Sequence, residues 1–207
     1  MPPRIAIIDY GMCNLDSVRR AVEECGGVPV ITSQRTKIAA ADKVVLPGVG
    51  AFNVAMQHIR ELQIDQCLSE DVVGKKTPLL GICLGMQILA SSGTEGGEST
   101  GLGFIEGQVR RLEPVGDDNR IPHVGWNQVV AADAQHPLFK GIRPGSDFYF
   151  VHSFHFCAAH ESDRAATTPY AGGFTSVVGK GPIFGVQFHP EKSQKIGFQL
   201  LRNFIFY

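Results

Sequence analysis

The pentapeptide Gly81-Ile82-Cys83-Leu84-Gly85 places a thiol between two glycines at the end of an apolar run, Leu79 to Ile82. It is a cysteine version of the G-x-S-x-G elbow, in which a tight strand-to-helix turn lifts a nucleophile off the sheet. A side chain at either glycine would collide with the neighbouring backbone where strand and helix approach. At the amino end of a helix, unpaired N–H groups and the dipole would favour a thiolate at Cys83. A buried structural cysteine in a glycine-containing turn is the competing reading, because free cysteines are among the most buried residues.

A thiol nucleophile needs a base, and the base needs an acceptor to orient its second ring nitrogen. His189-Pro190-Glu191 supplies both, directly after the apolar run Ile183 to Phe188. Proline ends the ladder, so the imidazole and carboxylate fall at a strand end, where α/β folds gather catalytic groups. Taken singly, a histidine beside a proline is an ordinary turn residue; an elbow cysteine in the same chain changes that balance. His152 and His155 have a ligand-like spacing, but on one strand they would face opposite ways, so no shared metal is expected. Gly96-Gly97-Glu98-Ser99-Thr100-Gly101 follows no strand pattern, lacks a P-loop lysine and reads as a turn.

The elements that must hold these groups follow from periodicity. Ile5 to Ile8, Val28 to Ile31, Lys43 to Leu46 and Leu79 to Ile82 read as buried strands. Between them, Val18, Ala21, Val22 and Cys25, then Val54, Ile59 and Leu62, recur at helical spacing, the alternation of a parallel sheet with crossover helices. Leu84 to Ala90 has the composition of a buried helix. Beyond Ser91, glycine-rich turns separate shorter strands at Gly107 to Leu112, Val124 to Val130, Phe148 to Phe154 and Ile183 to Phe188, and an amphipathic helix through Ile196, Leu200 and Phe204 closes the chain. The fold class is therefore α/β: one domain over 1–207, a mostly parallel central sheet flanked by helices, and a mixed or antiparallel second half.

Composition narrows the class of partner. A chain of 207 residues, 43% hydrophobic and 19% charged, builds its own core without disulfide staples. Its net charge of −1 and only three adjacent basic pairs (Arg19-Arg20, Lys75-Lys76, Arg110-Arg111) argue against nucleic acid or an anionic membrane as main partner. No apolar run approaches a bilayer-spanning length or a signal peptide, so a cytoplasmic protein is expected. Five cysteines, Cys13, Cys25, Cys67, Cys83 and Cys157, with no C-x-x-C pair, fit neither a disulfide framework nor a structural zinc site.

Six ordered segments carry a family resemblance over nearly the whole length. They are Ile8-Asp9-Tyr10-Gly11-Met12 with Asn14, Leu46-Pro47-Gly48-Val49-Gly50-Ala51-Phe52, Gly81-Ile82-Cys83-Leu84-Gly85-Met86-Gln87, Ile121-Pro122-His123-Val124-Gly125-Trp126-Asn127, Phe150-Val151-His152-Ser153 and Gln187-Phe188-His189-Pro190-Glu191-Lys192-Ser193. The chain resembles the class I (triad) glutamine amidotransferases and, within them, the glutaminase subunits of imidazole glycerol phosphate synthases. The resemblance implies hydrolysis of L-glutamine to glutamate, with the ammonia passed to a β/α-barrel cyclase subunit in a heterodimer, and no cofactor or metal. It implies Cys83 as nucleophile, His189 as base and acid, and Glu191 as the group that holds the imidazole. It further implies backbone donors to the oxyanion from Leu84 and from Gly48-Val49, and substrate contacts from Gln87, Glu95, His152, Ser153 and Phe154. Asn14, Trp126, Tyr149 and Lys192 would face the partner.

Two positions depart from the pattern: Cys13 stands where these subunits have glycine, and Phe154 where they have tyrosine. Paralogous subunits that feed ammonia to amidino-sugar enzymes are an alternative, as is a stand-alone thiol hydrolase. A silent scaffold would be marked by loss of the cysteine or histidine, and both are present.

Overall fold

Every apolar residue of the first strand is taken up by a core on one side or the other. Ile5 and Ile7 pack into one hydrophobic cluster, Ala6 and Ile8 into a second, which is what a strand covered on both faces requires. The computed structural model describes residues 1–116, 120–133 and 135–207. Strands β1 (Arg4–Ile8), β2 (Val28–Thr32), β3 (Lys43–Gly48) and β4 (Leu79–Cys83) pair in parallel, in the order β2-β1-β3-β4. Helix α1 (Leu15–Glu24) covers one face through Val18, Ala21 and Val22. The other face carries α2 (Arg35–Ala39), α3 (Phe52–Glu61) and α4 (Ile64–Cys67), which bury Ile38, Phe52, Ile59 and Ile64. Burying such a side chain contributes about 1.5 to 3 kcal/mol, so both covers are firmly attached.

One turn of helix, α5 (Leu84–Gln87), follows β4. The expected helix from Leu84 to Ala90 stops there because its next carbonyls are taken by another segment. Leu102 N–H donates to Ile88, Ile105 to Leu89 and Gly103 to Ala90, so those acceptors cannot serve a further turn.

The second half supplies β5 (Ser92–Gly93), β6 (Ser99–Thr100), β7 (Gly107–Arg111), β8 (His123–Ala131), β9 (Ser146–His152), β10 (Phe154–Ala158), β11 (Arg164–Thr168), β12 (Phe174–Lys180) and β13 (Ile183–Val186). Strand β13 joins β4 in parallel and β12 antiparallel, so it is the seam between the two kinds of sheet. The run expected as one strand, Phe148 to Phe154, is broken at Ser153 because the chain changes partners: β9 pairs with β8, and β10 with β7 and β12. His152 and His155 therefore lie on different strands. Helix α6 (Gln194–Ile205) closes the chain against α1, burying Leu200, Leu201 and Phe204.

Candidate active site

Strands β3, β4 and β13 run in parallel side by side, and their carboxyl ends meet at one edge of the sheet. Cys83 ends β4 with φ +55 and ψ −110, a region that a non-glycine residue occupies only when its surroundings enforce it. Two close approaches do so. A Cβ on Gly81 would lie 2.6 Å from the Gly85 carbonyl oxygen, and one on Gly85 would strike the Leu46 carbonyl. The expected helix dipole shrinks to one turn, so the local gain is the Leu84 N–H, which at the first helical position has no partner within the helix.

Register then decides what stands beside the thiol. Gly48 of β3 pairs with Cys83 on one side, and Val186 of β13 pairs with Ile82 on the other. Beyond Val186 the chain leaves the β4 ladder and reaches His189, whose N–H donates to the Tyr149 carbonyl at 2.9 Å. Ser193 bridges the same corner: its Oγ donates to His189 O at 2.6 Å and accepts from Tyr149 N–H at 3.0 Å. Glu191 Oε1 lies 2.7 Å from His189 Nδ1, with both side chains almost wholly buried. The opposite nitrogen, Nε2, is buried with no hydrogen bond of normal geometry, yet the Cys83 sulfur is near enough to bear on it. Burial opposes a charge on His189, but hydrogen bonding and charge interaction with the Cys83 sulfur and the Glu191 carboxylate outweigh burial and push its pKa up to about 10. The imidazole thus holds a proton firmly, as the acid for a departing amine must.

A cavity of about 260 Å³ opens at this edge, lined by Val49, Cys83, Leu84, Gln87, Glu95, His152, Ser153, Phe154 and His189 among others. It is smaller than the roughly 300 to 1,000 Å³ that suits drug-sized ligands, and its size fits a single amino acid. The structure brings every expected substrate residue to this one space. Both N–H donors of Gln87 are committed, to Phe154 O at 2.8 Å and to Gln187 Oε1 at 3.1 Å, which leaves its own carbonyl as the group it offers a ligand. Glu95 accepts the Phe52 N–H at 3.1 Å, and burial raises its pKa.

The Gly48-Val49 stretch, expected to offer a donor to the oxyanion, holds the Val49 amide away from the cavity. The Val49 N–H donates to Met12 O at 2.9 Å, so that donor is occupied outside the cavity. Gly48 belongs to β3 and is buried; a Cβ there would meet the Tyr10 hydroxyl and sit 3.0 Å from Leu84 Cβ. Conformational freedom is confined to exposed Val49 and to Gly50, at φ +99. Cys13 donates its thiol to Pro47 O at 3.3 Å from beneath this stretch, and burial raises its pKa to about 11.

His123 belongs to the site although the residue pattern did not single it out. Its Nδ1 lies 3.0 Å from His152 Nε2, His152 Nδ1 lies 2.9 Å from Phe154 O, and Asn127 Nδ2 lies 3.3 Å from His123 Nε2. One assignment satisfies all three contacts: each donor points toward Phe154 and both rings are neutral. Burial lowers His123 to about 4 and His152 to about 3, in keeping with that assignment.

On the outer face of the β8–β9 ribbon, Trp126 is opposite Tyr149 in register and meets it edge-on at 6.0 Å, while Lys192 Nζ lies 6.0 Å from the Tyr149 ring. Three of the four residues expected to face a partner are thereby grouped. Trp126 is 48% exposed, and Val124 and Val151, paired on the same face, are exposed with it. Asn14, exposed at the start of α1, makes no capping bond through its side chain. Among the described residues it shares no hydrogen bond or ring contact with the other three.

Comparison with known proteins shows the family of the chain. Residues 6–206 match the family model described as glutamine amidotransferase class-I. Imidazole glycerol phosphate synthase subunit HisH 2 of Nitrobacter winogradskyi is 44% identical over 98% of this chain and 97% of its own length. The corresponding HisH 1 protein of Campylobacter jejuni strain 81-176 is 47% identical over 97% and 98%. Among solved structures, PurLQS from Thermotoga maritima superposes with a TM-score of 0.77 at 18% identity, covering 100% of this chain and 99% of that one. The glutaminase domain of Trypanosoma brucei CTPS, solved with bound acivicin, gives 0.68 at 18% identity, covering 98% and 91%. At those identities the two structures speak for the fold alone.

Proposed function

Since this chain belongs to the class-I glutamine amidotransferases, we propose that it hydrolyses L-glutamine as the glutaminase subunit of an imidazole glycerol phosphate synthase and hands the ammonia to a β/α-barrel cyclase partner. The observation that carries the reading is the single amino-acid-sized cavity in which Cys83 and His189 meet, with Glu191 behind the histidine.

In this reading His189 Nε2 already carries the proton taken from Cys83 when the sulfur attacks the side-chain amide carbon. The oxyanion is met by the Leu84 N–H. The nitrogen leaves as ammonia with the proton from His189, water hydrolyses the glutamyl thioester with His189 as base, and glutamate departs. Glu191 holds the ring through Nδ1. The free carbonyl of Gln87 and the carboxylate of Glu95 suit the α-ammonium, and main-chain N–H groups around Ser153 suit the α-carboxylate.

The second oxyanion donor is what the isolated chain lacks. With the Val49 N–H held by Met12, a rotation of the Val49 peptide is needed to complete the site, and Val49 stands 42% exposed beside Val151 at the cavity mouth. A partner seated on Val124, Trp126, Val151 and Lys192 would contact that stretch and favour the turned peptide, provided it binds the two states unequally. Restoring one such donor is worth about 2.7 to 4 kcal/mol, roughly a hundredfold to a thousandfold in rate. Free thiols at all five cysteines fit a cytosolic location. Glutamate release by the purified chain should rise by that factor when the cyclase and its acceptor substrate are added together. An unaided rate equal to that of the complete system would overturn the reading in favour of a stand-alone hydrolase.

A further inference from the structure

Gln187 is 0% exposed, an unusual place for a side chain with two N–H donors and a carbonyl. Its position follows from register: Val186 pairs with Ile82 in the parallel β13–β4 ladder, so the next residue on each chain, Gln187 and Cys83, stand side by side. Backbone pairing continues through the Gln187 N–H, which donates to Ser176 O at 2.9 Å.

The orientation of the amide is dictated by its neighbours. Phe154 O is an acceptor only, so the Gln87 group 2.8 Å from it is Nε2. That same Nε2 lies 3.1 Å from one end of the Gln187 amide, which must therefore be Oε1. The other end, Nε2, then faces the Cys83 sulfur at 3.7 Å. The polarity runs one way, from Gln87 through Gln187 to the thiol.

We infer that Gln187 is a positioning residue of the glutaminase centre, donating an N–H to the Cys83 sulfur and holding it toward the cavity while Gln87 fixes the donor's orientation. The inference rests on the glutaminase reading for its catalytic meaning and on geometry alone for the contact. An N–H donor favours the anionic sulfur over the thiol. A neutral amide does this without placing a second cation beside His189. The titratable groups that face the sulfur are His189, from the turn after β13, and Tyr10, from the loop after β1. Gln187 adds a donor whose strength does not change with pH. The contact also joins the substrate wall to the nucleophile, because Gln87 lines the cavity and Gln187 does not.

The test uses the full chain and reads iodoacetamide alkylation at Cys83 across pH, located by peptide mapping among the five cysteines. It needs no glutamine turnover, so failure of the glutaminase reading would leave the result interpretable. Gln187→Met keeps a straight side chain of similar length without a donor. Its alkylation profile should move about 1 pH unit toward alkali, and the neutral-pH rate should fall roughly tenfold, as expected when one hydrogen bond to a charged group is lost. With glutamine, kcat should drop by a similar factor while KM stays within about threefold. Gln187→Glu, which puts a carboxylate beside the sulfur, should move the profile further the same way. An unchanged profile in a folded variant of either kind, or a loss confined to KM, would overturn the proposal. Failure of both variants to fold would overturn it too, by marking Gln187 as a structural residue.

Discussion

The two walls of the cavity are built in opposite ways. On the nucleophile side, Cys83, Gln187, His189 and Glu191 sit at the ends of β4 and β13 among side chains with almost no exposure, and Gly85 passes so close to the Leu46 carbonyl that no side chain fits there. On the oxyanion side, Val49 and Gly50 are exposed, the glycine stands at positive φ, and the Val49 N–H is spent on Met12. A packed interior has few arrangements open to it, whereas an exposed glycine-containing turn has several of similar energy. On the proposed reading the chain keeps its nucleophile set and leaves the donor that would complete the transition-state site to be set by contact with a partner. That division suits an enzyme whose product is wasted unless a partner takes it.

The largest expected effect tests the fixed wall. Cys83→Ala and His189→Asn should each lower kcat for glutamine hydrolysis by about 10⁶-fold, whereas Glu191→Gln, which removes only the group that orients the imidazole, should cost about 10⁴-fold. Rates should be compared after circular dichroism has shown each variant to be folded. Equal losses in all three would mean that Glu191 does more than orient the ring.

An intermediate effect concerns acid. His123 and His152 have folded-state pKa values of about 4 and about 3, depressed by burial below the ordinary value of 6.5. The sign follows: an imidazole kept neutral by folding contributes stability that is complete above about pH 6.5 and is lost as pH falls toward the folded values. In urea unfolding each ring should therefore account for a loss on the order of 2 kcal/mol between about pH 7.5 and about pH 5, partly offset by His189, whose raised pKa favours the folded state as pH falls. A flat profile would mean that water reaches these rings and that this part of the cavity wall is looser than its packing implies.

The smallest effect falls on the adjustable wall. Gly50→Ala adds a Cβ at φ +99 and brings it 2.7 Å from Met12 Cε; the methyl can move aside, but the backbone strain remains. Partner-stimulated hydrolysis should fall about tenfold through a strain on the order of 1 to 2 kcal/mol, with alkylation of Cys83 unchanged. If alkylation changed as well, the two walls would not be independent and the contrast between them would fail.

Much of the fixed wall is legible in the sequence because its signals are local. The glycines around Cys83, the proline after His189 and the apolar runs of β1, β3, β4 and β13 each follow from side-chain shape and spacing within a few residues. The helix expected from Leu84 to Ala90 fails for the opposite reason. Its composition suits a helix, but its carbonyls are claimed by Leu102, Gly103 and Ile105, and no local pattern announces that. Phe148 to Phe154 likewise reads as one strand until the partners on either side of Ser153 are known.

Residue types and their order determined which chemistry is available: a thiol in an elbow, an imidazole with a carboxylate two residues on, and one α/β domain to carry them. Tertiary structure decided where the hydrogens point. That Gln187 faces Cys83, that His123 backs His152 and that the Val49 N–H turns to Met12 depend on register between distant strands and on which acceptor is nearest. A side chain's identity is written at its own position, but a hydrogen bond belongs to two positions at once, and only folding brings the second within about 3 Å of the first.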